Sequence, residues 1–139
     1  MPSRLTTRPP APKRLRSEQS MQDNNTICPL KYLTHVLGGK WKIPIICILA
    51  DPQPQRYSSI KRRLGNITNM MLAQSLKELE SSGMVSRTQF NEIPPHVEYS
   101  LTDRGRKTLP FLTAAAQWAT QELSELGMSP NCENCSHSH

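Results

Sequence analysis

The order of periodic segments predicts an α+β domain, mainly α: four short helices, a two-stranded hairpin, then a long closing helix. Three observations carry that reading. Apolar residues recur at three- and four-residue spacing between Ile27 and Leu79. They switch to strict alternation at Val97, Tyr99 and Leu101. The helical period then returns and holds to Leu126.

The first helix is set by Ile27, Leu30, Leu33, Thr34 and Leu37, with Pro29 suited to its first turn and Gly38-Gly39 stopping it. A second, from near Lys40 to Leu49, is apolar almost all round and therefore expected in the core. Pro44 is awkward there, so either the helix starts after Lys40 or its first turn is distorted. A third, Tyr57 to Leu64, puts Tyr57, Ile60 and Leu64 on one face and Lys61, Arg62 and Arg63 on the other. Gly65 follows where a left-handed cap is needed. Thr68 is the expected N-cap of a fourth helix reaching about Ser82. Its inward stripe is Met71, Leu72, Ser75, Leu76 and Leu79; its outward stripe is Met70, Ala73, Gln74 and Lys77.

Beyond Gly83, Met84 to Phe90 reads as a strand. The proline-stiffened loop Asn91-Glu92-Ile93-Pro94-Pro95 leads into a second strand through Val97, Tyr99 and Leu101. Thr102 caps a final helix from Asp103 to about Leu126, bent or interrupted near Pro110. Its stripe of Leu109, Leu112, Ala116, Ala119 and Leu123 is longer than a small domain requires, which implies a partner surface. Helix, Gly-containing turn, helix and hairpin form the layout of a winged helix-turn-helix.

The chain has 139 residues, enough for one domain with tails. Residues 1–25 read as a disordered basic arm, 26–126 as the folded domain, and 127–139 as a flexible tail. Seventeen Lys and Arg against eleven acids give a net charge of +6, which favours a polyanionic partner. The longest apolar run, Ile43 to Ala50, is under half of the roughly 20 residues a membrane span needs. No hydrophobic export signal is visible, so a reducing, cytoplasmic compartment is expected for the four cysteines.

Duplex DNA is the partner this layout fits. The fourth helix, from Thr68, is the expected reader of base edges; on the hairpin, Arg87 and His96 are either contacts to the adjacent backbone or cross-strand surface pairs, with contact favoured for Arg87. A charge run such as Lys61, Arg62 and Arg63 is ordinarily a solvated face; beside a reading helix, at least one phosphate contact is expected. Cys28, at a helix start beside Lys31, sits where unpaired amides stabilise a thiolate, while Cys47 lies in the most apolar segment. Cys132, Cys135, His137 and His139 carry ligand types that zinc and copper take. Four ligands within eight residues leave little room for a fixed tetrahedron, so no cofactor is expected, with zinc, copper or a redox pair as the alternatives. Cys28 or Cys47 with His35 is only a nominal catalytic pair; no oxyanion or phosphate-cradling motif accompanies it, and catalysis is not expected.

Cys28-Pro29, Gly38-Gly39-Lys40-Trp41-Lys42, Met71-Leu72-x-x-x-Leu76-x-x-Leu79, Pro94-Pro95-x-Val97-Glu98-Tyr99-Ser100-Leu101-Thr102 and Gly105-Arg106 together resemble the HxlR family of bacterial winged-helix regulators. The resemblance spans about Cys28 to Gln121. It implies a homodimer joined through the first and last helices on a pseudo-palindromic operator; repression is expected rather than activation. It also implies oxidant or electrophile sensing through Cys28, as in some members. The chain departs from the family pattern at Met70, Ala73 and His96. Base contacts then move toward Asn69 and Gln74, whose amides pair bidentately with adenine, while Met70 and Ala73 suit a thymine methyl. The competing reading is a winged-helix adaptor that binds protein instead of specific DNA.

Overall fold

A computed structural model describes residues 26–130. The arm of residues 1–25 and the tail ligands Cys132, Cys135, His137 and His139 lie outside the described residues.

Helix α1 (Pro29–Leu37) starts at Pro29 and stops at Gly38, as the sequence indicates. Its buried stripe differs from the expected one. Val36 and Leu37 are buried and Tyr32 and Leu33 half-buried, whereas Thr34 and Leu30 (71% exposed) face outward. Two adjacent i,i+4 pairs, Tyr32–Val36 and Leu33–Leu37, dock the helix, and spacing alone does not choose between neighbouring faces. Helix α2 (Lys42–Ile48) begins two residues after Lys40. Pro44 then occupies the third helical position, where a backbone N–H has no partner inside the helix to lose. Ile45 to Leu49 are buried, but Ile43 is not, so this helix is less enclosed than its composition suggested.

A two-residue strand, β1 (Gln55–Arg56), precedes α3 (Tyr57–Leu64). Gly65 ends α3 at a positive φ of 79°, a conformation L side chains rarely adopt. Ile67 plugs the core between the helices, and α4 (Asn69–Ser81) follows. Strands β2 (Val85–Phe90) and β3 (His96–Leu101) form an antiparallel hairpin running from Val85↔Leu101 to Phe90↔His96. β1 adds to the free side of β3 through Gln55↔Tyr99 and Arg56↔Glu98, making a three-stranded sheet of order β1-β3-β2.

The closing helix is two helices, α5 (Asp103–Arg106) and α6 (Leu109–Glu125). Pro110 dictates the break: it cannot donate to the Arg106 carbonyl, and its ring would collide with that oxygen. Of the expected stripe only Leu112 is buried; Leu109, Ala119 and Leu123 are half-buried and Ala116 is exposed. Phe111, Trp118 (67% exposed) and Leu126 are open to solvent, so α6 carries more apolar surface than this chain covers.

The core gathers Ile45, Ile46, Ile48 and Leu49 of α2, Ile60 and Leu64 of α3, Leu72, Leu76 and Leu79 of α4, and Tyr99 and Leu101 of β3. One polar knot fastens the hairpin base. Thr102 donates from Oγ1 to the Gly83 carbonyl (2.6 Å) and accepts from the Gly105 N–H (3.0 Å), and its own N–H meets the Met84 carbonyl. Gly105 is buried so close to the Met84 carbonyl that a Cβ would collide with it. Gly105→Ala is therefore expected to cost about 2 kcal/mol or more, lowering Tm by roughly 10 °C in calorimetry. An unchanged Tm would show that the knot carries no stability.

Candidate nucleic-acid interface

The candidate surface begins with what fixes α4. Thr68 caps it, its Oγ1 accepting from the Met71 N–H at 3.1 Å, as a threonine before an apolar-periodic run should. The Tyr57 hydroxyl donates to the Asn69 backbone carbonyl at 3.1 Å and lies 3.5 Å from Asn69 Oδ1, tying the start of α3 to the start of α4. Burial, and secondarily the neighbouring Tyr99, push the Tyr57 hydroxyl above its ordinary pKa, so it stays a protonated donor. Farther along, Lys42 of α2 reaches Glu78 Oε1 at 2.9 Å. Glu78 Oε2 meanwhile accepts a short hydrogen bond from Gln74 Nε2.

Leu72, Ser75, Leu76 and Leu79 face inward. Met71 does not: it is 46% exposed, at the margin of the buried stripe beside fully buried Leu72. Thr68, Asn69, Met70, Ala73, Gln74 and Lys77 are all exposed, Met70 at 80%. The structure thus brings the predicted reading residues onto one open helical face.

On α3, Arg62 is exposed, while Lys61 and Arg63 are half-buried in the last turn, where positive charge also offsets the helix dipole. Arg87 stands exposed on β2 opposite Tyr99. His96 pairs within the hairpin, the second of the two readings open to it. Its ring stacks on Phe90 at 4.7 Å between centroids, with Nε2 3.2 Å from Glu98 and Nδ1 3.5 Å from Glu92. Only 14% of its side chain is exposed, so its hydrogen-bonding capacity turns into the hairpin.

Cys28 is exposed at the N-cap of α1. The backbone N–H groups of Lys31 and then Leu30, with a smaller pull from the Lys31 charge, hold its thiol below the ordinary value. Cys47 is buried. Among the described residues no three His, Cys, Asp or Glu side chains gather as metal ligands.

Sequence reasoning missed Tyr57, Lys42 and Glu78 as parts of this surface. The i,i+4 spacing of Gln74 and Glu78 was a usable signal. The Lys42–Glu78 pair joins separate helices and left no local trace.

The profile of the HxlR-like helix-turn-helix family matches residues 36–126. The chain belongs to that family. This HxlR-like protein is 41% identical, over 73% of its length and 77% of the relative's, to an uncharacterized HTH-type transcriptional regulator of Methanothermobacter thermautotrophicus. It is 44% identical to YkvN of Bacillus subtilis, an uncharacterized regulator of the same type, over 70% and 86% of the two chains. Among solved structures it resembles the redox regulator HypR in its oxidized form, with 36% identity and a TM-score of 0.63 over 68% and 96% of the chains. It resembles reduced YodB of B. subtilis at 34% identity and a TM-score of 0.62, over 69% and 94%. The HxlR-like chain is accordingly a DNA-binding transcriptional regulator of helix-turn-helix type with a winged fold, and none of its described helices is long and apolar enough to cross a membrane.

Two solution properties follow from this geometry. Hydrogen bonds from Gln74 and then Lys42 hold the Glu78 carboxyl below its ordinary 4.5. A depressed carboxyl contributes stability fully above its unfolded pKa and loses it as pH falls through the lower folded value. The stability gap between wild type and Glu78→Gln should therefore be present at pH 7, under about 1 kcal/mol because the carboxylate is half exposed, and be lost at a pH below the lowered folded value. Urea titrations at both pH values check this; a gap that widens in acid would contradict it. Peptide mapping after brief iodoacetamide treatment at pH 7 should find Cys28 alkylated and Cys47 protected until denaturant is added. Equal labelling would contradict the placement of both.

Proposed function

We propose that the chain is a cytoplasmic homodimeric repressor that binds a pseudo-palindromic operator, with α4 of each copy in successive major grooves. The observation that carries this reading is the outward stripe of α4. Met70, Ala73, Gln74 and Lys77 remain solvent-facing on a helix that is capped, packed and tied at both ends. Asn69 and Gln74 supply amides for adenine, and Met70 and Ala73 supply apolar contact for thymine methyls. Arg62, Arg63 and Arg87 supply phosphate contacts, with Lys61 beside them; His96 contributes through the shape of the hairpin.

Pairing through α1 and α6 is supported by the apolar side chains those helices leave uncovered, Leu30, Phe111, Trp118 and Leu126. Twofold pairing sets half-sites about 34 Å apart, one helical turn, so the distance between the two α4 helices governs affinity. Cys28 lies two residues before Leu30, on the helix proposed to pair. Its lowered pKa favours the thiolate that adds to a quinone: a sulfur lone pair forms the new S–C bond, the C=C π pair moves to the carbonyl oxygen, and that oxygen takes a proton from solvent, to which the thiol proton has already passed. A bulky adduct there alters pairing and hence the spacing of the reading helices. The redox regulator HypR, and the transcriptional regulator YodB solved in reduced and diamide-treated forms, lend weight to this sensing role.

Gel-shift assays on duplexes selected from a random pool test the reading. Gln74→Ala with Lys77→Ala should abolish specific binding while sedimentation still finds a dimer. Arg62→Ala should lower the slope of log affinity against log salt by about one unit. Unchanged DNA affinity in these variants would favour the adaptor reading instead. Cys28→Ser should bind as the reduced wild type does and lose any response to diamide or a quinone; a retained response would assign sensing elsewhere.

A further inference from the structure

We infer that Glu78 is a positioning residue for base readout: braced by Lys42, its carboxylate fixes which way the Gln74 amide faces. This rests on Gln74 as a reader of bases. A glutamine four residues before a glutamate ordinarily makes a weak surface pair, free to come and go. Here the carboxylate is not free. Its Oε1 is held at 2.9 Å by Lys42 Nζ, and the Lys42 side chain is only 12% exposed, anchored in α2 against the core. The remaining oxygen, Oε2, takes Gln74 Nε2. A carboxylate only accepts hydrogen bonds, so the nitrogen of Gln74 must face it and the oxygen cannot.

That constraint has a consequence for recognition. With one N–H committed to Glu78, Gln74 retains its second N–H and both lone pairs of Oε1. Those are the groups that adenine N7 and N6 require in the major groove. The rotamer of a long, exposed side chain is thereby chosen before DNA arrives, which lowers the ordering cost of contact. The brace also leaves a negative charge beside the reading face, and a carboxylate near phosphates weakens binding to every sequence alike. The chain therefore gives up general affinity for selectivity, and the two effects are separable by experiment.

The test uses full-length protein and duplexes selected from a random pool by the wild type, with each base pair then replaced in turn. Glu78→Gln presents both a donor and an acceptor and no longer dictates the orientation of Gln74. It should reduce discrimination at the adenine position read by Gln74 by about tenfold, the scale of one bidentate contact. Affinity for unrelated duplex should rise in the same variant, a direction that damage to the fold would not produce. Lys42→Met, which keeps the buried stem, should reduce discrimination at the same position. In a Gln74→Ala background, Glu78→Gln should leave discrimination unchanged. Full discrimination in Glu78→Gln, or an equal loss with and without Gln74, would overturn the positioning role while leaving Gln74 as a reader. If Gln74→Ala itself alters no base preference, or the wild type selects no sequence, the functional reading falls and this inference with it.

Discussion

The inner stripe of α4, Leu72, Ser75, Leu76 and Leu79, is sealed against α2 and the start of β2, and the opposite stripe is outside for that reason alone. Burying a leucine stabilises by about 2 kcal/mol, so rolling the helix to hide Met70 or Gln74 would expose three leucines at far greater cost than any surface contact could return. The open face is thus a by-product of core formation. Its rigidity is not: the Thr68 cap, the Tyr57–Asn69 bond and the Lys42–Glu78 pair each take hold of α4 at a different point along its length.

Those ties convert a helix on the surface into one with a fixed attitude. A two-turn reading surface needs its side chains placed within fractions of an ångström, and a helix held only by packing can slide along its ridge. Two of the ties come from outside α4, one from α3 and one from α2, so the relative setting of three helices is written into the site. The hairpin is fastened separately, by Thr102 and Gly105 against Gly83 and Met84, and its tip is closed by His96 between two carboxylates. Reader and wing are therefore independent supports on a shared core.

Much of this was legible from the order of residues, and the reasons are local. Tyr57–Leu64 is legible with its bounds because Gly65 readily takes the positive φ that ends the helix there, and Thr68 announces the next helix because a hydroxyl before an apolar run satisfies a free amide. The open stripe of Met70, Ala73, Gln74 and Lys77 followed from period alone. What escaped was non-local. Strand β1 has two residues and exists only because β3 offers a free edge. The docking face of α1, the exposure of Met71, the inward turn of His96 and the Lys42–Glu78 brace depend on what packs alongside, and spacing within one segment holds no record of it. Pro110 sits between these cases: it announces an interruption, and the structure makes it two helices, with the Thr108 hydroxyl bonded back to the Gly105 carbonyl at 2.6 Å across the break.

Methylation interference on a selected duplex tests whether the exposed stripe of α4 meets base edges in duplicate. Methyl groups at guanine N7 obstruct the major groove without changing backbone charge. Binding should be blocked at two clusters of guanines centred about ten base pairs apart on one face of the duplex. Binding indifferent to N7 methylation, or blocked in a single cluster, would contradict it.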